Sequence, residues 1–265
     1  MYHSHWGLRQ SPYSDRPDPA CFYHSPVHNE ALARLHFLVD EHRRLGLLLG
    51  GAGAGKSLLC RVFAEQQARA GRPAALIDLV GIDSHELFWQ IAAQWGLNPS
   101  PQARTFELWR LILDRLSEYR AQQLECVLLC DNADEARPEV REQVLRLVAG
   151  DSTPGSRFTA IVTASPATVL ELGERLIDMA ALKIDLEPWD EADTVEFLRS
   201  TLSRAGCSTA PFDAQAMIRL HQLSHGVPRR VSQLADLALL AGAGDKLPQI
   251  GAETVEAVYQ ELGVV

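Results

Sequence analysis

A glycine-rich turn near residue 50 limits the folds open to this chain more than any other feature. Residues 50–57 read GGAGAGKS; the apolar run LGLLL precedes them, and the amphipathic pattern KSLLCRVFAEQQARA overlaps their end. A short apolar run that ends in glycine is typical of a buried strand of a parallel sheet, and the pattern after it is typical of a helix. The stretch therefore predicts a strand, a tight loop and a helix in that order.

The turn fits the pattern G-x-x-x-x-G-K-S, which binds nucleotide phosphates when it joins a strand to a helix. Its glycines let backbone N–H groups point at phosphate oxygens, and the helix adds the positive end of its dipole. Lys56 is expected to reach the β- and γ-phosphates of a bound nucleotide, and the Ser57 hydroxyl is expected to ligate Mg²⁺. The predicted nucleotide-binding residues are Gly50, Gly51, Ala52, Gly53, Ala54, Gly55, Lys56, Ser57 and Leu58.

A second Mg²⁺ ligand is expected at the end of another strand. The apolar run ECVLLCD ends in Asp131, and a carboxylate at the carboxyl end of a parallel strand lies beside the phosphate loop. Two alternatives stay open. Asp131 could cap the turn that follows it, and Asp78, in LIDLV, is a weaker rival for the same role.

Strand and helix patterns alternate from residue 45 to about residue 187. This alternation predicts an α/β fold of the P-loop NTPase class, with a parallel five-stranded sheet covered by helices on both faces. After Pro188, four helical patterns follow with no strand between them, which predicts an all-helical domain. The predicted divisions are an N-terminal segment and leading helix (1–44), the α/β domain (45–187) and the helical domain (188–265). Residues 1–26 are expected to be irregular and largely extended.

Composition restricts the partners and the compartment. The 25 basic and 34 acidic residues give a formal charge of −9, which disfavours a dedicated nucleic-acid binder but leaves room for a local basic face. The five cysteines include no C-x-x-C pair and are expected to be reduced thiols. The N-terminus has no apolar signal core, and no run approaches the length of a membrane span. The expected compartment is the cytoplasm, with no integral membrane segment.

Several stretches together resemble a known family, the AAA+ ATPases of the general secretion pathway protein A (ExeA) type. They are YHSPVHNEAL near the N-terminus, AALIDLVGIDSHELFWQIAAQWGL, the strand that ends at Asp131, and HQLSHGVPRRVSQLADLALLAG. The resemblance covers almost the whole chain. It implies that the helical domain is an AAA+ lid and that ATP and Mg²⁺ are the ligands.

The resemblance also implies roles for individual residues. GVPR, ending in Arg229, is similar to the family's Gly-Ile-Pro-Arg, whose arginine is the sensor-2 residue of the lid and touches the γ-phosphate. Arg175, in ELGERLID, resembles an arginine finger offered to a neighbouring subunit. Ser165 stands in the sensor-1 region, where the family usually has Gly-Gln-Pro. For both arginines the alternative of a surface charge on a helix stays open.

Asn132 departs from the family pattern, which usually has a glutamate after the Mg²⁺-binding aspartate. That glutamate orients and deprotonates the attacking water, whereas asparagine has no basic site at neutral pH. Positioned general-base help is worth about 10²–10⁴-fold in rate, so its loss predicts a slow enzyme rather than a non-binder. Asp134 and Glu135 are competing candidates for the base.

The leading hypothesis is an AAA+ ATP-binding protein, a slow ATPase, that self-associates through its nucleotide edge. It would relay its nucleotide state to a protein partner in secretion, pilus or cell-envelope assembly. Two alternatives remain: a DNA-associated AAA+ regulator like the helpers of transposition, and a nucleotide-gated scaffold with negligible hydrolysis. The sequence shows no counterpart of the transmembrane helix and periplasmic part of full-length family members, so the expectation is the ATPase module alone.

Overall fold

The computed structural model describes residues 2–13, 18–150, 153, 155–207 and 209–262. Two compact units divide the chain. The α/β unit consists of His28–Ala52 and Lys56–Leu186, and the helical unit consists of the described residues of Met1–Val27, Gly53–Gly55 and Glu187–Val265. The chain therefore begins in the helical unit, forms the α/β unit, and returns to the helical unit.

The helices and strands follow one another in the order that the sequence pattern predicts, with two short helices added. The strands are β1 (Leu45–Gly50), β2 (Ala74–Asp78), β3 (Cys126–Asp131), β4 (Phe158–Ala164) and β5 (Leu182–Leu186). The helices are α1 (Tyr2–Trp6), α2 (Pro26–Asp40), α3 (Lys56–Arg69), α4 (Ser84–Gln94), α5 (Thr105–Ala121), α6 (Pro138–Gly150), α7 (Glu174–Asp178), α8 (Glu191–Arg204), α9 (Ala214–Ser224), α10 (Pro228–Gly244) and α11 (Ala252–Glu261). Helices α1 and α7 are the two additions.

The five strands form one parallel sheet in the order β2-β3-β4-β1-β5. This confirms the predicted parallel five-stranded sheet. Strand β4 lies between β1 and β3 although it follows both in sequence. The carboxyl end of β4 is therefore placed between the loop after β1 and the carboxylate that ends β3, and this is the arrangement on which the candidate site depends.

Alternating residues of the central strands face opposite sides of the sheet. In β3, Cys126, Leu128 and Cys130 belong to a core that also contains buried residues of α4, α5 and α6. The residues between them, Val127 and Leu129, are also fully buried. Helix α3 contacts β1, β2 and β3 and contributes Leu59, Cys60 and Phe63, which are fully buried and lie outside that core. Both faces of the sheet are covered, which explains why these strands read as unbroken apolar runs.

The helical unit has a core of its own, built mainly by α8, α9, α10 and α11. The N-terminal segment contributes to it through Trp6, whose indole N–H donates to the carbonyl oxygen of Leu239 at 2.8 Å. The expectation of an irregular, extended segment over residues 1–26 is wrong for α1, because contacts with distant helices stabilise a turn that local propensity does not favour. Residues 1 and 14–17 of that segment lie outside the described residues.

None of the described helices is long and apolar enough to cross a membrane. The five cysteines form no disulfide with one another among the described residues.

Candidate functional site

The glycine-rich loop joins β1 to α3, as the sequence predicts. Strand β1 ends at Gly50 and α3 begins at Lys56, so the whole turn is made by residues 51–55. Gly53 and Gly55 have φ values of +82° and +100°. Side chains with a Cβ rarely adopt this conformation, so these two positions require glycine if the loop is to curl. Loops of this kind that lead into a helix N-terminus offer backbone N–H groups to anions.

Lys56 lies over this loop. Its Nζ atom donates to the carbonyl oxygen of Gly50 at 2.6 Å and is 3.4 Å from the carbonyl oxygen of Gly51. The Ser57 side chain, next along α3, is half-buried and makes no hydrogen bond with any described residue. The ammonium group and the hydroxyl that the sequence assigns to phosphate and to Mg²⁺ are thus adjacent at the start of one helix.

Asp131 is the buried carboxylate at the end of β3, and it is held by Thr163 of β4. The Thr163 hydroxyl donates to Oδ1 of Asp131 at 2.6 Å and accepts from the backbone N–H of Asn132 at 2.9 Å. Thr163 is fully buried, and Asp131 is 5% exposed. Thr163 is not among the site residues predicted from the sequence, although a threonine inside the apolar run FTAIVTA is a signal of a buried polar role.

Asn132 has a left-handed backbone conformation, with φ 54° and ψ 44°. Asparagine tolerates this region better than most residues because its short polar side chain bonds locally. Its Nδ2 atom donates to Oδ1 of Asp78, at the end of β2, over 3.1 Å. The amide at the position of the usual glutamate is therefore paired with a carboxylate from the neighbouring strand.

Asp134 is engaged in holding the turn after β4. Its Oδ2 atom accepts from the backbone N–H of Ser165 at 2.9 Å and from the Thr168 hydroxyl at 2.5 Å. The Ser165 hydroxyl is 3.4 Å from the backbone N–H of Ala167, within the same turn. Asp134 therefore organises the backbone around Ser165, while Thr163 is the hydroxyl that contacts Asp131.

Two buried thiols respond to the charges of the site. Burial, with the neighbouring Asp131 and Cys130, raises the pKa of the Cys60 thiol well above its usual value, and Lys56 acts in the opposite direction. Burial and Asp131 raise the pKa of the Cys130 thiol to about 12. Both thiols are therefore protonated at neutral pH. Cys60, one turn after Lys56 on α3, is close enough to Asp131 and Lys56 to be affected by both charges.

Arg175 and Arg229 occupy different units. Arg175 is exposed on the short helix α7, and its guanidinium makes no ion pair or hydrogen bond with any other described residue of the chain. In the helical unit, the backbone N–H of Arg229 donates to the carbonyl oxygen of Gly53 at 3.2 Å. A Cβ atom added at Gly53 would be 2.9 Å from Cβ of Arg229, so Gly53 and the start of α10, which belong to the same unit, approach closely.

Comparison with known families identifies the α/β unit. Residues 39–169, from the end of α2 to the turn after β4, match the family model of the AAA domain. The chain contains an AAA domain. The matched range includes the phosphate loop, Asp131, Asn132 and Thr163, so the AAA match covers the same residues that the geometry brings together.

The chain is also similar to General secretion pathway protein A of Aeromonas hydrophila. The two are 30% identical over 246 residues, which are 91% of this chain and 45% of that relative. This match confirms the resemblance drawn from the sequence motifs. The chain spans less than half the length of the relative.

Several solved structures share the fold at low sequence identity. ORC2 of Aeropyrum pernix, in ADPNP–ADP complexes, matches with a TM-score of 0.72 and 13% identity over 95% of this chain and 71% of that one. ORC1 of the same organism, in complex with DNA, matches with a TM-score of 0.69 and 17% identity over 92% of this chain and 68% of that one. The Thermotoga maritima RuvB Holliday junction branch migration motor matches with a TM-score of 0.63 and 14% identity over 97% of this chain and 74% of that one. These likenesses confirm the predicted P-loop NTPase fold with its C-terminal helical part.

Proposed function

We propose that this chain binds ATP with Mg²⁺ at the loop of residues 50–58 and hydrolyses it slowly. The observation that carries the proposal is the convergence of three groups on one sheet edge: the Lys56 ammonium over the loop, the Ser57 hydroxyl beside it, and the buried Asp131 carboxylate. Hydroxyl and carboxylate oxygens are the protein ligands that Mg²⁺ prefers, so this donor set fits the ion. When bound, Mg²⁺ would offset charge on the β- and γ-phosphate oxygens.

The remaining site residues are assigned roles within this proposal. Thr163 fixes the Asp131 carboxylate through its hydrogen bond, and the Asp134-held turn places Ser165 beside β4. Arg229, whose backbone meets Gly53, acts as the sensor-2 arginine. The divisions 1–44, 45–187 and 188–265 remain our proposal for the functional domains, with the last acting as a lid.

The test of nucleotide binding is calorimetric titration of the wild-type protein with ATP, with Mg²⁺ and then with the chelator EDTA. We expect binding in the micromolar range or tighter with Mg²⁺, and weaker binding with EDTA because Ser57 and Asp131 then have no ion to coordinate. Phosphate release, followed over hours, measures hydrolysis. Absence of ATP binding contradicts the proposal, whereas binding without any phosphate release supports the nucleotide-gated scaffold instead.

We further propose that ATP promotes self-association and that Arg175 is offered to a neighbouring copy. An exposed arginine without an ion pair among the described residues is free to contact phosphate in another subunit. Light scattering with a slowly hydrolysed ATP analogue is expected to show larger particles than with ADP. Arg175→Ala is expected to reduce hydrolysis at high protein concentration by at least about tenfold. The matched control is Arg199→Ala on the exposed face of α8, for which no change is expected.

A protein that stays monomeric with both nucleotides at high concentration contradicts this proposal. Equal loss of hydrolysis in the Arg175 and Arg199 variants contradicts it as well, because the effect would then reflect general charge rather than a particular arginine.

The partner is proposed to belong to secretion, pilus or cell-envelope assembly. The support is the similarity to General secretion pathway protein A, together with a formal charge of −9 that disfavours DNA. Affinity capture from the native cells, compared between the ATP and ADP states, is expected to recover envelope-assembly proteins in one state. Salt-dependent binding of the purified chain to duplex DNA would instead support the DNA-associated alternative.

A further inference from the structure

Asp78 ends β2 at the same level of the sheet at which Asp131 ends β3. The two residues are register partners in adjacent parallel strands. The carboxyl ends of parallel strands meet at one edge of a sheet, so the Asp78 carboxylate belongs to the edge that carries the candidate site. Unlike Asp131, which is buried, Asp78 is exposed to solvent.

The Asp78 carboxylate contacts the side chain of Asn132 directly. Oδ1 of Asp78 accepts from Nδ2 of Asn132 at 3.1 Å and is 3.2 Å from the backbone N–H of Val80. The carboxylate makes no ion pair with any described cation, and no described residue bonds its Oδ2 atom. One oxygen is therefore held in place while the other faces water.

The backbone of Asn132 is held as firmly as its side chain. Its N–H donates to the buried Thr163 hydroxyl, and its left-handed conformation directs the amide to Asp78 rather than along β3. Asn132 and Asp78 together therefore place a carboxylate close to the position where the family's glutamate would place its own.

The other nearby acids are less well placed. Two donors of the turn after β4, the Ser165 N–H and the Thr168 hydroxyl, converge on Oδ2 of Asp134, which gives that carboxylate a structural task. The backbone N–H of Glu135 donates to the carbonyl oxygen of Asn132 at 3.1 Å, but its carboxylate makes no hydrogen bond to Asp131, Asn132 or Thr163 in the described part of the chain. Asp78 is the carboxylate that directly contacts the residue in the usual glutamate position.

We propose that Asp78 supplies the carboxylate that Asn132 lacks, and that it orients the attacking water and accepts its proton. This inference rests on the proposed ATPase activity. In the step, the water oxygen bonds to the γ-phosphorus and the bond from that phosphorus to the bridging oxygen of ADP breaks. The water proton passes to Asp78 and then to solvent, and the products are ADP and phosphate. Asn132 holds Asp78 in position through the amide hydrogen bond.

The decisive variant is Asp78→Asn, whose side-chain oxygen can still accept from Asn132 while the basic site is removed. We expect single-turnover hydrolysis to fall by about 10²–10⁴-fold with ATP affinity unchanged by calorimetry. The control Asp114→Asn removes an exposed carboxylate on α5 and is expected to leave the rate unchanged. Hydrolysis in Asp78→Asn equal to that of wild type overturns the inference, because orienting Asn132 would then be sufficient.

The exchanged pair Asp78→Asn with Asn132→Asp returns a carboxylate to the pair from the other strand. Aspartate tolerates the left-handed backbone nearly as well as asparagine, so the fold is expected to survive. We expect the double variant to hydrolyse ATP at least about tenfold faster than Asp78→Asn alone, because a general base is restored to the pair. A double variant as slow as Asp78→Asn contradicts the inference. A wild-type protein that binds ATP without hydrolysing it overturns the ATPase proposal itself, which is a different outcome from an active enzyme insensitive to Asp78→Asn.

Discussion

Lys56→Ala is expected to weaken ATP binding in the presence of Mg²⁺ by at least about 10²-fold while the protein stays folded. Lys56 lies over the phosphate loop and is the cation expected to reach the β- and γ-phosphates. Hydrogen bonds to charged groups are worth roughly 1.5–3 kcal/mol each, and about 1.4 kcal/mol is a factor of ten in affinity. The loss of two such bonds therefore accounts for the expected factor.

The fold should survive because alanine is the best helix former and Lys56 is only half-buried at the first position of α3. Calorimetric titration gives the affinity, and circular dichroism checks the helix content. The chain has only two other lysines, Lys183 and Lys246. Lys183→Ala, on the edge strand β5, is the matched control and should bind ATP as wild type does. Unchanged affinity in a folded Lys56→Ala protein would remove the basis for the phosphate-loop assignment.

The α/β architecture could be predicted because its signals are local and repeated. Runs such as LGLLLG and ECVLLCD are too short to indicate helices. They also lack the alternation of apolar and polar residues that a strand with one solvent-exposed face shows, so they indicate a parallel sheet buried on both faces. Helix α1 could not be predicted in this way. Its turn depends on Trp6 reaching Leu239, more than 200 residues further along the chain, and no local pattern contains that information.

The sequence indicates which residues make up the candidate site, but not which hydrogen bonds connect them. Gly50 to Leu58 and Asp131 follow from a motif and from a strand end. The bonds that join Asp131 to Thr163 and Asn132 to Asp78 depend on strand order, because β4 and β2 flank β3. From the sequence, a glutamate at position 132 is the obvious route to faster hydrolysis. We expect that substitution to be unfavourable, because a glutamate at position 132 would have a left-handed backbone and would place its carboxylate beside that of Asp78.

Two threonines of β4 offer the most direct test of how the site is held. Thr159 and Thr163 lie four residues apart, on the same face of the strand, and both are buried. The Thr163 hydroxyl bridges Asp131 and the N–H of Asn132, whereas the Thr159 hydroxyl has no hydrogen-bond partner among the described residues. The same substitution at the two positions is therefore expected to have opposite effects.

Thr163→Val replaces the hydroxyl by a methyl group of similar size and leaves a carboxylate and an N–H without a buried partner. The free energy of unfolding is expected to fall by about 1–3 kcal/mol, the cost of leaving buried polar groups unpaired. Binding of ATP in the presence of Mg²⁺ should weaken by about tenfold or more, because a charge-assisted hydrogen bond no longer fixes Asp131 as an ion ligand. The loss should be smaller when ATP is titrated with EDTA.

Thr159→Val removes a hydroxyl that is buried without a partner, and the free energy of unfolding is expected to rise by about 1 kcal/mol. Its ATP affinity should equal that of wild type. Urea unfolding of wild type, Thr163→Val and Thr159→Val gives the two stability changes with their signs, provided that the slope of the free energy of unfolding against urea concentration is the same in all three. If both variants shift stability in the same direction and by similar amounts, the Thr163 bridge is no more than ordinary packing of β4. Opposite signs, with the affinity loss confined to Thr163→Val, establish that the strand between β1 and β3 holds the carboxylate on which ion binding depends.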